Sequence, residues 1–203
     1  VFALRSILYF YMANTPSYLS YLENSDRTAS YLWHRRFLKT LQSVYKPKRW
    51  LLKDPSHLGN LDEILSIYPD ACFIHIHRDP AETIPSICSL TSQVRKGFTD
   101  SIDLNELGKR TLDFWENSKK RNEAQKKNLN SDQYMDINYE DFIKNPLQTI
   151  EDIYANFTFS FDKNNKELLE SYIEKSVKTH KEKHIYTLEE YGLDKKEVHN
   201  RLK

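Results

Sequence analysis

The stretch Phe73-Ile74-His75-Ile76-His77-Arg78-Asp79-Pro80 decides the fold. A hydrophobic run ends in a cation and passes at once into Asp-Pro. This reads as a buried strand that stops at Arg78 and turns straight into a helix. Asp is a good N-cap, and Pro fits the first helical position because its missing N–H is not needed there. Upstream, Trp50-Leu51-Leu52-Lys53-Asp54-Pro55 says nearly the same thing. Lys53 and Arg78 are therefore each expected where a strand ends and a helix begins, the place at which an open parallel sheet binds anions.

Working outward, residues 2–13 and about 27–45 have helical patterning, with Thr15-Pro16-Ser17 as a turn between them. A strand is expected at 49–53. A helix follows from Pro55 to about Tyr68, with Leu58, Leu61, Ile64, Leu65 and Tyr68 on one side. The strand 71–78 comes next, then a helix from Pro80 in which Pro85 predicts a kink or a short first segment. A long helix is expected over 103–128, a third strand at Tyr134–Asn138, and helices from Asn145-Pro146 and over about 163–177. The tail is polar, with a late capping signal at Thr187 and Glu190. Alternation of this kind implies parallel strands joined by crossover helices.

The 203 residues suffice for one domain with a real core, and residues 1–203 are read as one partial domain. Hydrophobic residues make up 39% and charged residues 29%, an ordinary globular mixture. The net charge of +1 offers no basic field for nucleic acid, so any anion site must be local. Cys72 and Cys88 both lie in apolar stretches and are expected as buried thiols rather than a disulfide framework. No apolar run is long enough to span a membrane. The first ten residues make a poor signal peptide, and the chain does not begin with Met. It is expected to be a piece of a longer, cytoplasmic protein.

A single cation after a strand is most simply a surface residue. Two of them at successive strand ends would share one crevice. Ser86, eight residues after Arg78, adds a hydroxyl on the helix that Arg78 introduces. A guanidinium and a hydroxyl can together hold a phosphate-like group, the Arg by its planar fork. His57, four residues after Lys53, has two readings that these residues leave open: a neutral general base near the anion site, or a partly exposed first-turn side chain.

The order of these segments resembles the PAPS-dependent sulfotransferase superfamily. The resemblance is carried by Trp50-Leu51-Leu52-Lys53-Asp54-Pro55-Ser56-His57-Leu58, Tyr68-Pro69-Asp70-Ala71, and His77-Arg78-Asp79-Pro80 through Ser86. It extends to His34-Arg35-Arg36-Phe37-Leu38-Lys39-Thr40-Leu41-Gln42, to Tyr139-Glu140-Asp141 with Asn145-Pro146, and to His184-Ile185-Tyr186-Thr187-Leu188-Glu189. It implies a P-loop NTPase-like α/β fold, a parallel sheet flanked by helices, and sulfuryl transfer from PAPS to a hydroxyl or amine acceptor. That acceptor would be a small molecule, a glycan or a peptide, and no metal is expected. Arg78 and Ser86 match the pair that holds the 3′-phosphate of the donor. Lys53 matches the lysine beside the transferring group, and Tyr139 a position near the adenine. The cytosolic branch places its base two residues after that lysine. Pro55 stands there in this chain, so His57 is the nearest candidate. Lys183, beside Lys181 and His184, is a possible counterpart of the late basic segment at the 3′-phosphate.

One departure is plain. The family's first strand and its Arg-Ser-Gly-Thr-like phosphate loop are not found, and Arg5-Ser6 is followed by Ile7 and Leu8 in a helical pattern. A close phosphate loop needs backbone N–H groups and usually glycine. The first strand and loop are therefore expected to be missing from this chain, and such a fragment can be inactive alone. A P-loop-like kinase would need a Gly-rich Lys-Ser/Thr loop, which is not visible either. A non-catalytic binding domain of the same fold is the third reading. His75 and His77 could pass for a metal pair, but no third ligand is evident, and buried structural histidines are expected. His180 and His184 have helical spacing without the His-Glu-x-x-His pattern.

Overall fold

The structure, a computed structural model, describes residues 5–177 and 186–202. Ten helices and two strands are assigned among them. In chain order they are α1 (Leu8–Met12), α2 (Pro16–Asn24), α3 (Thr28–Gln42), α4 (Leu61–Ile67), β1 (Phe73–His77), α5 (Pro80–Arg95), α6 (Leu104–Lys126), β2 (Tyr134–Asn138), α7 (Tyr139–Lys144), α8 (Pro146–Asn156), α9 (Lys163–Val177) and α10 (Lys195–Leu202). No helix among the described residues is long and apolar enough to cross a membrane. The elements fall into two compact units. Residues 5–71, 80–128 and 186–202 make one, and residues 72–79 with 129–177 make the other.

The helical unit is built around α6. Its buried residues Leu107, Thr111, Phe114, Trp115, Ser118 and Asn122 recur at three- and four-residue spacing, one face of a helix. Asp103 starts the helix by accepting from the Glu106 amide at 2.9 Å. Phe10 stacks on Phe114 with ring centroids 6.2 Å apart and is 1% exposed. Burial of one such side chain stabilises by about 1.5–3 kcal/mol. Arg95 is also buried, and its Nη2 donates to the Phe10 carbonyl at 2.6 Å, so its charge ties α1 to α5. Gly108 lets the 3-10 turn Glu189–Tyr191 lie against α6, since a Cβ there would stand 2.1 Å from the Tyr191 carbonyl oxygen.

The second unit holds the sheet. β1 and β2 are parallel, in the register Phe73↔Tyr134, His75↔Asp136 and His77↔Asn138. Ile137 is buried beneath it, and Tyr154, Phe157, Phe159 and Phe161 form an aromatic cluster at the end of α8.

Several expectations hold closely. β2, α6, α8 and α9 lie where the periodicity places them, and Asp79-Pro80 does open α5. α5 runs unbroken through Pro85. Other expectations are corrected. Residues 49–53 form no strand. Leu51 is 90% exposed, and no neighbouring strand among the described residues takes up the backbone donors and acceptors of this segment. Thr15-Pro16-Ser17 is not a simple turn, because Pro16 opens the nine-residue α2, whose Leu19 and Leu22 are buried.

The single helix expected over 55–68 is two pieces. A 3-10 turn, Pro55–His57, stops at Gly59, and α4 restarts at Leu61. Gly59 has φ +76°, and a Cβ on it would stand 2.7 Å from the Ser118 carbonyl oxygen, so only glycine fits without strain. Leu61 N–H at the restart donates to Gln125 of α6 at 2.9 Å. Cys72 is exposed rather than buried, because strand alternation puts it with the exposed Ile74 and Ile76. The polar tail folds as α10, anchored by the fully buried Val198.

Candidate functional site

The two parallel strands end together. Register pairs His77 with Asn138, so Arg78 and Tyr139 are the next residues out at the carboxyl edge. Asn138 accepts from the Glu140 amide at 2.8 Å and turns β2 directly into α7. The Arg78 guanidinium lies over the Tyr139 ring, 4.8 Å from its centroid. Arg78 is exposed and Tyr139 half-buried, and the ring covers one face of the fork. Such a fork suits a planar or tetrahedral oxyanion.

In the helical unit, Ser86 sits on the second turn of α5, half-buried. Its hydroxyl donates to the Tyr186 hydroxyl at 3.1 Å. Two hydroxyls in contact can both serve one oxyanion. Tyr186 lies in the late segment quoted for the resemblance, though its contact with Ser86 has no sequence signal. Lys183 of that segment lies outside the described residues, as do His180 and His184.

Lys53 is exposed on the extended segment that precedes the 3-10 turn. Asp54 caps that turn, accepting from the Ser56 amide at 2.7 Å. The turn carries His57 toward α3, where Tyr31 meets it with its hydroxyl 3.0 Å from His57 Nδ1. Beside them His34 Nδ1 lies 2.7 Å from the Tyr68 hydroxyl. Burial pushes the His57 and His34 imidazoles below their ordinary value, against a smaller opposing pull of Asp54 on His57. Burial also holds the Tyr31 phenol well above its ordinary value, so it stays protonated. His57 can take a proton at Nε2 only in the tautomer that donates Nδ1–H to the Tyr31 oxygen.

The histidines of β1 are half-buried rather than buried, and they share a carboxylate. Asp136, opposite His75 on β2, brings Oδ1 to 2.6 Å from His77 Nε2 and 3.8 Å from His75 Nδ1.

Comparison with known proteins identifies the family of the chain. A family model described as "Sulfotransferase family" matches residues 8–163. The chain belongs to the sulfotransferase family. Among solved structures, this sulfotransferase chain is similar to sulfotransferase STF1 from Mycobacterium tuberculosis, with TM-score 0.85 and 31% identity, over 97% of this chain and 51% of that one. It shares its fold with sulfotransferase STF9 from Mycobacterium avium, with TM-score 0.88 and 22% identity over the same shares. Among curated proteins it is 35% identical over 79 residues to the omega-hydroxy-beta-dihydromenaquinone-9 sulfotransferase Stf3 of Mycobacterium bovis and of Mycobacterium tuberculosis. That match covers 37% of this chain and 20% of Stf3. The sulfotransferase chain thus spans about half the length of its structural relatives and a fifth of its curated ones. Its fold is the P-loop-like α/β fold of those structures, helix-rich with a small parallel sheet.

The sequence pointed to Arg78, Ser86, Tyr139, Lys53 and His57. It did not point to Tyr31, Tyr186 or Asp136. Each of these acts across a long sequence separation, which local patterning does not encode. For Asp136 the strand register supplies the missing information.

Proposed function

We propose that this chain is part of a sulfotransferase domain that moves a sulfuryl group from PAPS to a hydroxyl or amine of a small-molecule acceptor. The observation that carries the reading is Arg78 at the carboxyl end of β1, its guanidinium laid over Tyr139 at the end of β2, within a chain of this family. Each unit by itself offers groups suited to a phosphate, an exposed guanidinium at a strand end in one and the paired hydroxyls of Ser86 and Tyr186 in the other. PAPS supplies the sulfuryl group and leaves as PAP. Arg78 and Ser86, eight residues apart, bind its 3′-phosphate, and Tyr139 lies against the adenine side.

Lys53 neutralises the charge that develops on the transferring group, the largest contribution a fixed cation makes to such a step. His57, kept neutral by burial, accepts the acceptor's proton at Nε2 while Tyr31 fixes its tautomer. The name of Stf3 supports a small hydroxylated acceptor.

The test is calorimetric binding of PAP to the protein in the full length encoded by its gene, with transfer from radiolabelled PAPS as the second readout. Arg78→Ala should weaken PAP at least about tenfold, the loss of one charge-assisted contact. Arg78→Lys should recover only part of it, because the fork is lost. Absence of PAP binding, or equal binding by Arg78→Ala, removes the basis of this reading. PAP binding without any transfer would leave a non-catalytic domain of the same fold.

A further inference from the structure

Three polar side chains on one face of the sheet have no part in that reading. His75 and His77 are two apart on β1 and therefore point the same way. Asp136 stands directly opposite His75 on β2. The two imidazole centroids are 4.0 Å apart. One nitrogen of each ring and one carboxylate oxygen all lie within 4.8 Å of one another. We propose that His75, His77 and Asp136 form a binding site for a divalent transition metal ion of the zinc type.

The donor set selects the ion. Two imidazoles and one carboxylate suit zinc, cobalt and nickel, whereas magnesium and calcium take oxygen ligands. Zinc bonds to nitrogen and carboxylate oxygen are about 2.0–2.2 Å, which sets tetrahedral ligand atoms about 3.4 Å from one another. The spacings on the page bracket that value: 2.6 Å from His77 Nε2 to Asp136 Oδ1 and 3.8 Å from His75 Nδ1 to the same oxygen. The ion takes the place of the proton now shared between His77 and Asp136. Three protein ligands leave the fourth position to water.

The surroundings bear on how an ion would enter. The Tyr134 hydroxyl lies 2.9 Å from His75 Nδ1, the same nitrogen that faces Asp136, so a bound ion displaces this hydrogen bond. The side chains of His77 and Asp136 are 42% and 41% exposed, so an ion has a way in. A bound ion would staple β1 to β2 through His77, one residue before Arg78, and Asp136, three residues before Tyr139, fixing the edge at which those two residues stand. Its role is structural, and sulfuryl transfer is not routed through it.

The experiment titrates the metal-free protein, in the full length encoded by its gene, with Co²⁺ and then Zn²⁺. Absorption in the visible reports the cobalt geometry, and calorimetry reports stoichiometry. Expected are one ion per chain, an intense tetrahedral cobalt spectrum bleached by Zn²⁺, and a higher thermal unfolding midpoint with Zn²⁺. His77→Ala and Asp136→Asn should each weaken Zn²⁺ at least about tenfold. His77→Gln keeps size and polarity, so its loss of binding with an unchanged circular dichroism spectrum separates ligation from misfolding. The proposal is overturned by weak octahedral cobalt alone, or by Zn²⁺ binding that survives His77→Gln and Asp136→Asn. It is equally overturned if binding survives those changes and disappears in a His180→Ala, His184→Ala double variant.

Discussion

At the scale of single residues, the pair Tyr31 and His57 makes the most exacting statement. Tyr31 is 8% exposed, and its hydroxyl has His57 Nδ1 as partner at 3.0 Å. Tyr31→Phe removes one half of a largely buried hydrogen bond and leaves the other half unsatisfied. Denaturant unfolding at neutral pH should show a loss of about 1–2 kcal/mol, and unchanged stability would mean that the pair is not formed. The same residues set a pH dependence. Burial lowers the folded-state pKa of His57 and His34 below the ordinary 6.5. Between the lowered value and 6.5 the unfolded chain binds more protons than the folded one, so stability is fully present above that window and falls as the pH drops through it. The unfolding midpoint should therefore decline on acidification below 6.5, and His57→Gln should make the decline shallower. Parallel profiles for the two proteins would refute the assignment to His57.

At the scale of elements, local chemistry decides starts and long-range contacts decide stops. Asp79-Pro80 and Asp54-Pro55 look alike in sequence, yet one opens the sixteen-residue α5 and the other a three-residue 3-10 turn. The difference is Gly59. Its left-handed φ of +76° and the Ser118 carbonyl beside it end the second helix before it can extend. Gly59→Ala should cost more than about 1–2 kcal/mol in thermal or denaturant unfolding, the left-handed penalty alone being of that size. A cost below that would show the turn to be adaptable.

The same contrast explains what was legible in the sequence. β2 and α6 were legible because the apolar patterning that marks them is local, as is the Asp103 cap that opens α6. The supposed strand at 49–53 was not, because an apolar run becomes a strand only where a partner strand offers hydrogen bonds. Pro16 was read as a turn residue because proline marks turns and helix starts equally well.

At the scale of the whole molecule, the two cysteines report on the two units separately. Cys88 is fully buried beside Ile84, Leu107 and Leu112 in the helical unit, and burial pushes its thiol up to about 11. Cys72 is exposed at the start of β1 in the other unit. The sequence placed both in apolar runs and could not separate them, since only the alternation of β1 turns Cys72 outward. The thiolate is the reactive form, so a buried thiol of raised pKa reacts only when its surroundings open. A thiol reagent in excess should therefore modify one cysteine of the native chain quickly. The second should follow at the rate of opening of the α5–α6 core, and both should react at once in denaturant. Val198→Ala, a cavity at the fully buried anchor of α10, destabilises that core and should speed the slow phase while leaving the fast one unchanged. Cys72→Ser should abolish the fast phase alone. If both thiols react together in the native chain, or if Val198→Ala accelerates neither, then Cys88 does not sit in a core that opens as one unit.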